Sequence, residues 1–124
     1  MSERFRVVIT DFIQDDLAPE RERLGDLADI EALGAESETD LHGRIEDADA
    51  VMAYHFLQIG AETISRLRRC RLIVRCGVGF DNVDTVAAAV CGIPVANVPD
   101  YGTEEVADSA LGLLLAMMRG ITFL

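Results

Sequence analysis

The sequence predicts an α/β fold: a flavodoxin-like, parallel five-stranded sheet with helices on both faces, ending in a long helix. Three observations carry this expectation. Short β-branched runs alternate five times with segments of helical spacing. The chain is 50% hydrophobic but poor in aromatics and without Trp, so its core is Val, Ile, Leu and Ala, as where parallel strands pack beneath helices. Its 124 residues suit a single domain.

Each element has its own signal. Phe5 to Thr10 is a β-branched run and the first strand. Asp11 to Asp16 is a polar loop, and Pro19 to Leu27, with acids first and leucines at helical spacing, is a helix. Asp29 to Leu33 is a weak second strand. Thr39 to Asp47 is a short helix capped by Asp40 or Thr39. Ala50 to Tyr54 is the third strand, and Gly60 to Arg69 an amphipathic helix with Ile64 and Leu67 inward. Leu72 to Cys76 is the fourth strand, followed by a helix from Val83 to Cys91 that Gly92 ends. Pro94 to Asn97 is the fifth strand and Thr103 to Met118 the longest helix. In such sheets ligands bind beyond the carboxyl ends of the strands. That places attention on Asp11, on Tyr54 to Phe56, on Arg75 to Asp81 and on Val98 to Thr103.

The formal charge is −11, from 22 acids against 11 bases, and every base is Arg. Nucleic acid and anionic membrane are poor partners for that surface. Without Lys there is no P-loop and no Schiff-base chemistry in these residues. Cys70, Cys76 and Cys91 are odd in number and lack CxxC spacing, which fits reduced thiols. The polar start has no signal h-region, and the apolar run from Ala110 to Met118 is too short to span a bilayer. A cytoplasmic location is the expectation. The two His residues and scattered cysteines have no metal-ligand spacing.

The segment richest in chemistry is Arg75 to Asp84, RCGVGFDNVD, between a strand and a helix. Gly77 and Gly79 allow a tight turn with open backbone N–H groups, and Asp81 or Asn82 can cap the helix that follows. A helix N-terminus favours an anion. Arg75 carries a fork that matches a carboxylate in bidentate fashion. Together they form a clamp for a small acid; the alternative is a glycine turn whose Arg pairs with a nearby Asp. It is not a dinucleotide fingerprint, because no third Gly follows at the required place. In the second segment, Asn97 to Asp108, Pro99 and Gly102 make a loop. Thr103, with Glu104 or Glu105, then opens a helix.

RCGVGFDNVD, then CGIPVANVP, then TEEVADSALGLLL resembles the signature succession of the D-isomer-specific 2-hydroxyacid dehydrogenases over about Leu72 to Leu115. Phe80 and Tyr54-His55 are most similar to the branch with C-terminal-binding-protein-like and phosphoglycerate-dehydrogenase-like members. The resemblance implies an NAD-dependent oxidoreductase that interconverts a D-2-hydroxy acid and its 2-keto acid. It implies that Arg75 pairs with the substrate carboxylate and that Gly77, Val78 and Gly79 hold it through their backbone. Tyr54, His55 and Tyr101 would line the substrate, and Val78 and Val106 would face the nicotinamide. Asp81, Asn82 and Asn97 would be structural.

By the same resemblance, residues 1–100 are the substrate-side domain. Residues 101–124 are then a helix linking to an NAD-binding Rossmann domain that this chain lacks. The family's Arg, Glu or Asp, and acid/base His would lie beyond Leu124, so this chain holds no catalytic residue and is expected to be inactive alone. A homodimer is expected for the full-length protein. His55 lies at the right edge, but no acid near it in sequence orients it as a base. His42 is expected on solvated surface. Cys76 is either a reactive thiol beside Arg75 or an inert buried one.

Two other readings compete. A phosphorelay receiver needs an Asp ending the third strand and a Lys ending the fifth, and neither is present. A non-enzymatic, corepressor-like module that senses NAD stays open.

Overall fold

A computed structural model describes residues 4–121. Five strands, β1 (Phe5–Ile9), β2 (Ala28–Ala32), β3 (Ala50–Ala53), β4 (Leu72–Arg75) and β5 (Val95–Asn97), form one sheet in the order β2-β1-β3-β4-β5. Every pairing is parallel: Val7 lies opposite Ile30 and Ala50, Val51 opposite Ile73, and Ile73 opposite Val95. The first crossover runs one way along the sheet and the later ones the other. Right-handed connections then place helices on opposite faces. This is the flavodoxin-like order expected above.

Four helices complete the layers: α1 (Ala18–Leu24), α2 (Ala61–Arg66), α3 (Thr85–Val90) and α4 (Thr103–Met118). Val8, Val51 and Ile73 at the centre of the sheet, with Leu41, Ile45 and Ile64 beside it, are almost fully buried and form one core. Burying each such side chain is worth about 1.5–3 kcal/mol.

Strand bounds agree with the sequence reading to within a residue, and α4 agrees at both ends. The other helices are shorter than their spacing suggested. The helix expected over Thr39 to Asp47 is a single 3-10 turn, Glu38–Leu41. Gly43 then takes φ +83°, and Glu46 spends its carboxylate on the backbone N–H groups of Gly43 and Ile45, so the chain turns instead of winding on. Asp40 is not the cap; it accepts from the backbone of Glu36 and Ser37, and those bonds hold its carboxyl below the usual range. His42 is half-buried, not solvated, because its Nε2 bonds Thr63 Oγ1 at 3.1 Å. Gly92, with φ +70°, follows α3 as expected.

α4 differs from the rest. None of its residues is buried, and Leu111, Leu113, Leu114, Leu115, Met117 and Met118 are all exposed. Among the described residues no helix is long and apolar enough to cross a membrane.

Candidate functional site

The carboxyl ends of β1, β3 and β4 lie side by side, so Asp11, Tyr54 to Phe56 and Arg75 to Gly77 share one edge. Asp11 organises that edge. It is only 1% exposed, an arrangement tolerable for a carboxylate only when its lone pairs are filled. Oδ1 accepts from the Thr10 hydroxyl at 2.6 Å and the Tyr54 N–H at 3.0 Å, and Oδ2 accepts from the Phe56 N–H at 2.8 Å. Asp11 thereby fixes the loop after β3 to the end of β1.

Asn82 does the equivalent between β3 and β4. Its Nδ2 donates to the carbonyls of Tyr54 at 2.8 Å and Leu57 at 2.7 Å, and its Oδ1 accepts from Arg75 Nε at 3.3 Å. Asn82 is therefore no helix cap. α3 starts later, and Asp84 caps it by accepting from the Ala87 N–H at 2.8 Å. Asp81 is exposed and caps nothing either. The groups of this loop with the chemistry to take an anion are Arg75 and the loop amides, not the helix end.

Arg75 is half-buried at the end of β4. With Nε held by Asn82, its Nη1 and Nη2 donate to nothing among the described residues, and no carboxylate there pairs with it. The Asp-paired alternative is thus not what the structure contains. The guanidinium lies over Gly77, where a Cβ would come within 1.8 Å of Nη1. Neither Gly77 nor Gly79 has positive φ, so Gly77 is needed for room, not for conformation. The loop is pinned from β5: Asn97 Nδ2 donates to the Val78 carbonyl at 2.7 Å, and the Val98 N–H donates to the Gly77 carbonyl at 3.0 Å. Of the three loop amides expected to hold an anion, that of Gly77 donates to the Arg75 carbonyl at 2.9 Å, and those of Val78 and Gly79 donate to no group among the described residues. A free guanidinium fork beside two free amides is the chemistry that holds a carboxylate.

The other expected residues are placed less tightly. Tyr54 is half-buried, and its phenol is pushed up to about 12, first by burial and then by the Cys76 thiol. Burial also raises Cys76, outweighing the lowering by Tyr54 and Arg75, which disfavours the reactive thiolate. His55 is exposed and stacks on Phe12 and Phe56, with no hydrogen bond to a carboxylate among the described residues. Val78 is half-exposed on the loop, and Tyr101 and Val106 are exposed at the start of α4. Tyr101 and Val106 share no hydrogen bond or ring contact with Arg75 among the described residues. Phe56 lies in the stretch that the sequence marks, and Phe12 does not; the polar run around Phe12 hid it.

A family model described as D-isomer specific 2-hydroxyacid dehydrogenase, catalytic domain, matches residues 7–122. D-3-phosphoglycerate dehydrogenase of Methanocaldococcus jannaschii is 31% identical over 116 residues, covering 94% of this chain and 22% of the relative. C-terminal-binding protein 1 of Caenorhabditis elegans is 32% identical over 105 residues, covering 84% of this chain and 14% of the relative. The NAD+-bound 3-phosphoglycerate dehydrogenase of Entamoeba histolytica superposes with a TM-score of 0.79 at 26% identity, covering 92% of this chain and 39% of that one. The chain thus spans well under half the length of each of these relatives.

Proposed function

The chain belongs to the D-isomer specific 2-hydroxyacid dehydrogenase family, and from that membership we propose that it supplies the carboxylate-binding side of a nicotinamide-dependent oxidoreductase. The observation that carries the proposal is the unpaired fork of Arg75, held by Asn82 over Gly77 at the carboxyl edge of the sheet. Arg75 grips the carboxylate of a small 2-hydroxy or 2-keto acid, and the amides of Val78 and Gly79 close on it. Tyr54 and His55 border the rest of the molecule, with Tyr101 on the α4 side. The bound acid is thereby oriented before any chemistry begins.

The cofactor fits these residues in part. Exposed Val78 and Val106 offer apolar surface for one face of a nicotinamide ring. No loop among the 124 residues has the glycine spacing that cradles a pyrophosphate, so no step is derived through the dinucleotide. When bound, the dinucleotide supplies the hydride. We take that dinucleotide to be NAD, a reading that the NAD+-bound structural relative supports. The acid/base group for such a reaction is assigned to segments outside this chain, since His55 has no orienting carboxylate among the described residues. On this reading the 124 residues alone are inactive. The unburied α4 is the linker toward a dinucleotide-binding domain, with pairing of two copies as part of the same proposal. The similarity to C-terminal-binding protein 1 favours a second reading, an interaction module in which the same clamp holds a carboxylate without turnover.

Calorimetric titration of the 124-residue chain with pyruvate tests the clamp. Arg75→Ala is expected to weaken binding more than about tenfold, since a hydrogen bond to a charged group is worth roughly 1.5–3 kcal/mol. Equal affinity in the variant removes Arg75 from the site.

A further inference from the structure

We propose that this edge selects 2-keto acids bearing an aromatic side chain, with Phe12 and Phe56 as the receptor for the ring; the proposal rests on the carboxylate reading of Arg75. The topology places the two halves of such a ligand. Phe12 follows β1, Tyr54 to Phe56 follow β3, and Arg75 ends β4, the next strand. Parallel strands are about 5 Å apart, so the end of β1 lies about 10 Å from the clamp. An aryl group on a three-carbon acid bridges that distance.

The rings are arranged to receive another ring. Phe12 contacts Tyr54 at 5.4 Å, His55 at 5.0 Å and Phe56 at 5.4 Å between centroids, and His55 contacts Phe56 at 4.3 Å. All four contacts are tilted, with interplanar angles of 32° to 55°. Aromatic side chains in a core are covered, yet Phe12 is 50% exposed and Phe56 65%. Their open faces are available for a further offset or edge contact.

The cluster is also held in place. Phe12 has φ +71°, a conformation a bulky residue adopts only when its surroundings impose it. Asp11 precedes it, and the same carboxylate fixes the Tyr54 and Phe56 amides, so the rings are positioned from both strands.

Charge argues against a second anionic group on the ligand. Phe12 and Phe56 line a hollow of about 360 Å³ together with Gln14 and Glu36, and no Arg takes part in it. Asp15 and Glu20 lie near enough to act on the Tyr54 phenol. A distal phosphate or carboxylate in this hollow would meet Glu36, with no guanidinium in the lining. In this respect the edge is unlike what the names of the phosphoglycerate dehydrogenases imply for theirs.

The experiment titrates the 124-residue chain with pyruvate, phenylpyruvate and 2-oxoglutarate, which share the carboxylate and keto group. Phenylpyruvate is expected to bind about tenfold or more tighter than pyruvate, the scale of one buried aromatic contact, and 2-oxoglutarate no tighter than pyruvate. Phe56→Ala and Phe12→Gly are expected to bring phenylpyruvate down to the pyruvate level while leaving pyruvate binding unchanged. Gly is chosen at position 12 because it adopts positive φ freely, so the folded backbone is retained. Equal affinities, a preference for 2-oxoglutarate, or a phenylpyruvate preference that survives both variants would overturn the aromatic selection. In those cases, loss of all binding in Arg75→Ala leaves the carboxylate clamp standing. Failure of the folded wild-type chain to bind any of the three overturns clamp and selection together.

Discussion

Arginines stand at both ends of the sheet, and they do different things there. Toward the amino ends of β1 and β3, Arg6, Arg44, Arg66 and Arg68 surround a cavity of about 690 Å³, the largest of those described. Three of them are in ion pairs: Arg6 with Glu31 at 2.9 Å, Arg66 with Glu62 at 2.8 Å and Arg68 with Asp47 at 3.0 Å. Arg44 gives a hydrogen bond to the Leu33 carbonyl. The acids there are equally committed. Glu46 is held below the usual carboxylate range, first by the Gly43 amide, and Glu62 is held low by Arg66. At the carboxyl end a single Arg75 has no carboxylate partner among the described residues. On the reading proposed above, unsatisfied charge and not cavity size marks the candidate site. Where the cations are already paired with acids, a ligand must break ion pairs to enter. Where the fork is open, the ligand completes the set.

Mutation can break this contrast at either end. The largest effect is expected from Asp11→Ala, which leaves the Tyr54 and Phe56 amides without their acceptor, while the Thr10 hydroxyl keeps the Met52 carbonyl at 3.4 Å. Each unpaired group shielded from water costs about 1–3 kcal/mol, so the loss is on the order of 2 kcal/mol or more by denaturant titration. A loss below ~1 kcal/mol would show that the carboxylate does not hold the edge together. Gly77→Ala comes next. Its methyl group displaces the Arg75 guanidinium, a flexible group, so stability is expected to change little while pyruvate binding falls by about tenfold, the scale of one charged hydrogen bond. Unchanged binding would mean that the fork acts from another position. The smallest effect is expected from Arg68→Ala at the paired end, below ~1 kcal/mol and shrinking further with added salt, because both partners are exposed. A larger, salt-independent cost would make that end more than a solvated surface.

Local pattern explains what was legible in the sequence. The strands announce themselves through β-branched runs, and α4 through sixteen residues of uninterrupted helical composition. Arg75 and its glycines were visible because a strand, a turn and a cation stand together in one segment. The roles of Asn82 and Asp11 were not visible, since the backbone groups of the loop after β3 that they hold are 25 to 45 residues away in sequence. Phe12 was missed for the same reason. In sequence it is one apolar residue in a polar loop; only the placement of β1 beside β3 brings it against Tyr54 and Phe56. The overlong helix expected at Thr39 to Asp47 failed locally, where Glu46 prefers the backbone of its own turn.

The Asp11 bonds have a consequence for how the chain opens and closes. They join residues 43 and 45 positions apart, so they form only after β3 has docked on β1. The rim of the site cannot fray by itself; exposing it means separating two central strands. Hydrogen exchange at the Tyr54 and Phe56 amides should therefore report opening of the core, although both residues stand at its margin. Substitutions that weaken the hydrophobic interior will then register at the rim, and loss of ligand affinity and loss of stability become coupled quantities in this domain.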